Sequence, residues 1–349
     1  MIVFLADAGG LPTINAASLH GYDEPQKLFI QSWAHIALSD TSTASNWVTD
    51  SAAGMTAIVT GVKTHNGVVS QGPDTIRGKQ DGTPLKTVLE YAEQRGLSTG
   101  VLSNVNITDA TPAACYSQAN NRSKFGEIFL QIFKPRFGDG VDVVIGVGRK
   151  PISERLADLG KTLDGLATEH KRPIYSSLAD VPADNQRPIV VQELDMNLPE
   201  ASRLALRTLS KNRRGYFLMI EWDAHTDDPQ RGLDNLVGFD KLIREIASMV
   251  NPKETLLLFT ADHSFELRSV GGGRGQPLLK GLAEWRTKNA GTRNPVDIPA
   301  LRVGHSHTGE EVIVAAQGPG SDQVRGFIPN TRLFHVMMNA WGWKPDTKQ

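Results

Sequence analysis

The chain holds a single cysteine, Cys115, in 349 residues, which excludes an internal disulfide framework. That cysteine reads as a small buried residue within Pro112-Ala113-Ala114-Cys115-Tyr116. No apolar run approaches the length of a membrane span. Neither sign of charge is in excess. The 37 Lys and Arg are offset by 38 Asp and Glu, a formal net charge of -1, so no global field favours nucleic acid or an anionic membrane. Internal repeats, heptads, low-complexity tracts and a dividing linker are all missing. So is a visible signal peptide, because Met1-Ile2-Val3-Phe4-Leu5 leads directly into polar residues.

What is present is an ordinary globular composition, 40% hydrophobic and 21% charged, with apolar material for a large core. Short apolar runs at 2–5, 141–145, 189–191, 216–220, 256–260 and 312–315 read as strands buried on both faces. Segments 87–94, 198–209 and 233–247 read as amphipathic helices between them. This alternation predicts an α/β fold, a single domain over 1–349. Residues 271–304, with Gly271-Gly272-Gly273 and Pro295, read as a long surface excursion bordering the site.

In such sheets ligands bind at the carboxyl ends of strands, and that is where this chain puts its reactive residues. Asp7 follows the first run. Glu221, Asp223 and His225 follow 216–220, and Asp262 with His263 follows 256–260. His305-Ser306-His307 precedes the last run. Mixed imidazole and carboxylate sets suit Zn²⁺, and all-oxygen sets suit Mg²⁺. Thr49-Asp50-Ser51-Ala52-Ala53-Gly54-Met55-Thr56 adds a serine at the start of a helix that Gly61 stops. The unpaired N–H groups and dipole there would stabilise a phosphate on Ser51. An Asp-Ser pair alone reads as a helix cap; the joint placement of these clusters is what carries weight.

Together these motifs resemble the alkaline phosphatase family. Val48 through Thr56 is similar to its nucleophile signature, with Met55 in place of a usual Gly or Ala, and Thr60-Gly61-Val62-Lys63-Thr64 and Asn66-Gly67 continue it. Asp109-Ala110-Thr111-Pro112-Ala113-Ala114 resembles a second block, and Arg122 stands thirteen residues after Asp109, the family spacing for its phosphate-gripping arginine. Thr260-Ala261-Asp262-His263 and His307-Thr308-Gly309 resemble the two C-terminal metal blocks. The resemblance spans nearly the whole chain and implies a three-layer sandwich, a central mostly parallel sheet between helical layers.

It also implies two Zn²⁺ and one Mg²⁺ per chain. Ser51 would be the nucleophile and Arg122 the fork holding two phosphate oxygens. Asp262 and His263, with Asp7, would hold the zinc that activates Ser51. His307 would hold the zinc on the leaving-group side, and Glu221, Asp109, Thr111 and Asp7 the Mg²⁺. After Glu221 the chain departs from the family pattern: Thr226 stands where an aspartate is usual. A shortened loop puts His225 at the histidine position and makes Asp223 the choice for the missing carboxylate, with Asp227 second. Ala6-Asp7-Ala8 replaces a usual Gly-Asp-Gly. His305 is left outside the metal set as a loop histidine.

The implied activity is hydrolysis of small phosphate monoesters through a phosphoserine intermediate, with no nucleic acid or membrane as partner. Family likeness also implies a periplasmic or secreted location and a homodimer. The alternatives are a diester, phosphonate or sulfate ester hydrolase of the same superfamily, or a non-catalytic metal- or phosphate-binding relative. The sulfatase version is disfavoured because Ser51 is not followed by that family's proline and arginine.

Overall fold

The computed structural model describes residues 1–346. Its strands are β1 (Ile2–Asp7), β2 (His35–Asp40), β3 (Ser98–Asn106), β4 (Val143–Val147), β5 (Ile174–Tyr175), β6 (Ile189–Gln192), β7 (Tyr216–Asp223), β8 (Leu257–Thr260), β9 (Ser264–Ser269), β10 (Val296–Asp297), β11 (Leu301–Thr308), β12 (Val312–Gln317) and β13 (Gly326–Pro329). Ten of them form one sheet in the order β13-β2-β12-β8-β1-β7-β3-β4-β6-β5. Only β12 runs antiparallel to its neighbours, so the sheet is mostly parallel. A second sheet, β10-β11-β9, has three strands.

The apolar runs are continuous because both faces of the large sheet are covered. Along β1 the side chains alternate. Val3 and Leu5 pack with the helices Ser51–Thr60, Val88–Gln94 and Ala110–Tyr116, whereas Ile2, Phe4 and Ala6 pack with Leu11–Tyr22, Leu198–Leu209 and Pro229–Met249. Two helical layers thus enclose the sheet, the three-layer α/β arrangement expected.

The expected strands and helices occur with small shifts at their ends. β4 starts at Val143 rather than 141, β7 continues to Asp223, and the helix Pro229–Met249 exceeds its expected 233–247. Thr87 turns out to be an N-cap: its side chain accepts from Glu90 N, in a capping box with the Glu90 carboxylate. Strand β3, absent from the sequence-based set, is central. Its polar Ser98, Thr99, Ser103 and Asn104 mask the apolar pattern, although β7 and β4 cover it on both edges. Residues 271–304 supply the helix Leu282–Lys288, β10 and the start of β11.

β8, β1, β7 and β3 are adjacent and parallel, so their carboxyl ends share one rim. The rim carries Asp262-His263, Asp7, Asp223 and Asp109 respectively. No helix among the described residues is long and apolar enough to cross a membrane.

Candidate active site

Ser51 is the first residue of the helix Ser51–Thr60, and Asp50 caps that helix by accepting from Ala53 N at 3.1 Å. Ser51 is buried, with Oγ 3.3 Å from His263 Nε2. Gly54 lets this helix approach β8: a Cβ there would lie 2.8 Å from the Asp262 carbonyl oxygen. Gly61 ends the helix with φ of 76°, the left-handed conformation glycine favours.

Asp7 and Asp223 end β1 and β7 as direct register partners, two like charges side by side. Asp7 Oδ1 lies 3.3 Å from His263 Nε2 and 3.8 Å from His225 Nδ1. The His225 ring stands with Nδ1 2.8 Å from Asp223 Oδ1 and Nε2 3.4 Å from His307 Nε2. His307 arrives from the small sheet, where it pairs with Phe265, and its Nδ1 lies 3.1 Å from the Thr49 carbonyl. Three groups among the described residues bring donor atoms within 4.8 Å of one another: Asp7–Asp262–His263, Asp7–Asp223–His225 and His225–His263–His307. Asp109, Thr111 and Glu221 belong to none of them. Glu221 instead accepts from the Ser103 hydroxyl and sits beside Thr111.

Arg122 donates from Nη1 to Asp50 Oδ2 at 3.2 Å and from Nη2 to Asp109 Oδ1 at 2.7 Å, so its fork is held by carboxylates flanking Ser51 and the rim of β3. Asp223 lies in the cluster, whereas Asp227 is half exposed and accepts from Arg231 Nη2 at 2.9 Å. His305 is exposed at the mouth of the cavity, with Nε2 3.4 Å from the Asn294 carbonyl.

The electrostatics are those of crowded, dehydrated charges. Burial pushes Asp262 up, and the neighbouring Asp7 charge adds to it. Burial and Asp7 likewise hold Glu221 well above the carboxylate range. For Asp7 burial also acts upward, but His225, His263 and Arg122 outweigh it and leave the group low. Burial opposes charge on His225, yet Asp7 and Asp223 raise it to about 9. His307 is depressed to about 4 by burial and by His263. Arg122 is raised by Asp109 and Asp50 against the opposing effect of burial.

This donor set fits divalent cations. Asp7 Oδ1 and Asp262 Oδ2 are buried and have no hydrogen bond of good geometry among the described residues; both converge on the one His263 Nε2, at 3.3 and 3.5 Å, a costly crowding of carboxylate oxygens unless a cation completes it. Ala8 points the same way. It holds φ of 63°, at a cost of about 1–2 kcal/mol for a residue with a Cβ, and its N–H reaches Asp262 Oδ1 at 3.3 Å.

The alkaline phosphatase family model matches residues 1–181 and 179–294. The chain belongs to the alkaline phosphatase family. It is 27% identical over 379 residues to the alkaline phosphatase of Escherichia fergusonii, covering 89% of this chain and 77% of that one. It is 25% identical over 440 residues to the tissue-nonspecific alkaline phosphatase of Rattus norvegicus, covering 97% and 83%. In structure it resembles the alkaline phosphatase of the Antarctic bacterium TAB5, with a TM-score of 0.78, 23% identity and coverage of 99% and 98%. The Thermus thermophilus alkaline phosphatase gives 0.79, 20%, and coverage of 99% and 91%. At these identities the structural likeness is one of fold. Family and fold together support a metal-dependent phosphatase.

Three residues that support the candidate site escaped the sequence. Ser103 bonds Glu221, Asn104 Oδ1 accepts from Asp223 N at 2.8 Å, and Phe265 packs its ring 5.1 Å from that of His225. Reading β3 as a strand ending at this rim would have found the first two.

Proposed function

We propose that this chain hydrolyses phosphate monoesters to an alcohol and inorganic phosphate through phosphorylated Ser51. The observation that carries this reading is the placement of Ser51 Oγ at a helix N-terminus, 3.3 Å from His263 and beside the carboxylate–imidazole cluster. Asp7, Asp262 and His263 would hold one Zn²⁺, and Asp223, His225 and His307 the other. Glu221, Thr111, Asp109 and Asp7 would hold Mg²⁺. When bound, such ions supply Lewis-acid stabilisation of oxyanions and neutralise phosphoryl charge. A TAB5 alkaline phosphatase variant was solved with Mg in a site designated M3.

Ser51 Oγ gives its proton to solvent and attacks phosphorus, the ester P–O bond breaks, and the departing alkoxide takes a proton from solvent to leave as the alcohol. The N–H groups opening the helix face the phosphoryl oxygens, and the two-pronged Arg122 guanidinium grips two of them. Asp50 and Asp109 fix the orientation of that planar guanidinium and favour its charged form, so it needs little reorganisation during the reaction. Water then attacks the phosphoserine, the P–Oγ bond breaks, and Ser51 recovers its proton. The charge on Arg122 favours a dianionic monoester over a diester. By family likeness the protein would act in the periplasm or outside the cell, as a homodimer.

The test is metal content together with p-nitrophenyl phosphate turnover at alkaline pH, before and after chelation. Zinc and magnesium in a ratio of two to one, with activity lost to chelator and restored by both ions, is the expected result. Bound zinc without monoester turnover would point to a diesterase relative or a silent binder.

A further inference from the structure

The cavity over the cluster encloses about 400 Å³, and its wall runs beyond the metal-binding candidates to Val105, Phe265, Asp227, Arg231 and His305. None of these five has a part in the chemistry described above. Arg231 and His305 both stand beside the Asp223–His225–His307 group, the side on which the departing alcohol lies if Ser51 is the nucleophile.

Arg231 is built into its place. It is the third residue of the helix Pro229–Met249, and its N–H donates to the capping carboxylate of Asp228 at 3.2 Å. Arg286 Nη2 donates to that same Asp228 Oδ1 at 2.7 Å, so the helix Leu282–Lys288 braces the turn from outside. The Arg231 guanidinium gives Nη2 to Asp227 at 2.9 Å, while Nη1 stands 3.6 Å from Asp223 Oδ2, within ion-pair range but beyond a hydrogen bond. A cation on Asp223 would neutralise that carboxylate and leave Arg231 a single counter-charge. The side chain is half exposed and lines the cavity, and the five N–H donors of a guanidinium outnumber these two carboxylate contacts. His305, two residues before His307 on β11, adds a ring at the same mouth. The other acidic groups of the wall face cationic or imidazole partners, Asp227 with Arg231, Asp109 with Arg122 and Asp7 with His263 and His225.

We propose that Arg231, seconded by His305, recognises a second anionic group on the leaving alcohol. The preferred substrates are then phosphate monoesters whose alcohol carries a carboxylate or another phosphate. The selection rests on the phosphatase reading above and adds the substrate class to it. Because Arg231 is half exposed, the preference is modest and weakens with salt.

The holoenzyme is assayed with 3-phosphoglycerate and glycerol 3-phosphate, which differ by a carboxylate in place of a hydroxymethyl group, and with p-nitrophenyl phosphate as reference. The wild type should favour 3-phosphoglycerate in kcat/KM by about tenfold at low salt and by less at high salt. Arg231→Gln should bring the ratio close to one, chiefly through KM, since the contact is made equally in the ground and transition states. Arg231→Lys should restore part of it, and His305→Gln should lower it by a smaller factor. A wild-type ratio near one overturns the proposal. So does a ratio that Arg231→Gln leaves unchanged while all three rates fall alike, which is what a purely structural tie to Asp223 would produce. A holoenzyme that turns over none of the three substrates, p-nitrophenyl phosphate included, defeats the phosphatase reading itself and the selection with it.

Discussion

Ser51 and the carboxylates around it show how far single residues carry the chemistry. Replacing Ser51 by Ala removes one buried oxygen and leaves the His and Asp donors in place. Turnover should fall on the order of a thousandfold or more, with no labelled phosphoenzyme after acid quench and an unchanged metal ratio; full activity in Ser51→Ala would show that another group is the nucleophile. The Asp223 and Asp227 positions separate as sharply. Asp223 faces His225 and Asp7, while Asp227 pairs with Arg231 at the surface. Asp223→Ala should therefore cost one zinc per chain by elemental analysis, whereas Asp227→Ala should keep the full complement. The opposite pattern would reassign the carboxylate. In the sequence both aspartates sit in one acidic run, Trp222-Asp223-Ala224-His225-Thr226-Asp227-Asp228, and spacing alone leaves them competing. The strand favours the first: β7 runs one register position past Trp222 and delivers Asp223 opposite Asp7.

At the scale of elements, the site depends on the helix Ser51–Thr60 lying close against the end of β8. Gly54 makes that possible, because a Cβ there would stand 2.8 Å from the Asp262 carbonyl and 3.2 Å from the Asp262 Cβ. In an exposed helix Gly→Ala would stabilise by about 1 kcal/mol. Here Gly54→Ala should instead lower Tm and weaken zinc binding, because backbone must move to make room. A higher Tm with full zinc occupancy would show that the contact is slack. The helix itself was legible in the sequence through Asp50, the small residues and Gly61, and so were the two-face-buried strands. β3 was not. Its serines, threonine and asparagines break the apolar run; β7 and β4 pair with its edges from distant parts of the chain, and the two helical layers cover its faces. With β3 went Ser103 and Asn104, the residues that steady Glu221 and Asp223.

For the molecule as a whole, stability at alkaline pH is set partly by a buried acid far from the chemistry. Glu93 accepts from the Thr99 hydroxyl and from Gly140 N, and burial pushes it up to about 7 from an ordinary 4.5. An acid raised in the folded state favours folding most below its unfolded value, and that contribution disappears as pH rises through the folded value. Between about pH 4.5 and 7, then, the wild type should lose stability relative to Glu93→Gln, by up to about 3 kcal/mol, and the difference should level off above that. Urea unfolding of both proteins across this range measures it; a difference independent of pH would mean that Glu93 ionises freely. The sequence by itself determined the α/β class, the serine at its helix start, the arginine at its spacing and most of the carboxylates and imidazoles, because each lies in a local pattern of cap, strand end or block. Only the tertiary structure decided which of them meet. Asp7, Asp223, Asp262 and His307 are brought together by parallel register across β8, β1 and β7 and by a second sheet folding back over the rim. Pairing between strands depends on contacts between residues far apart in the chain, which no local pattern encodes.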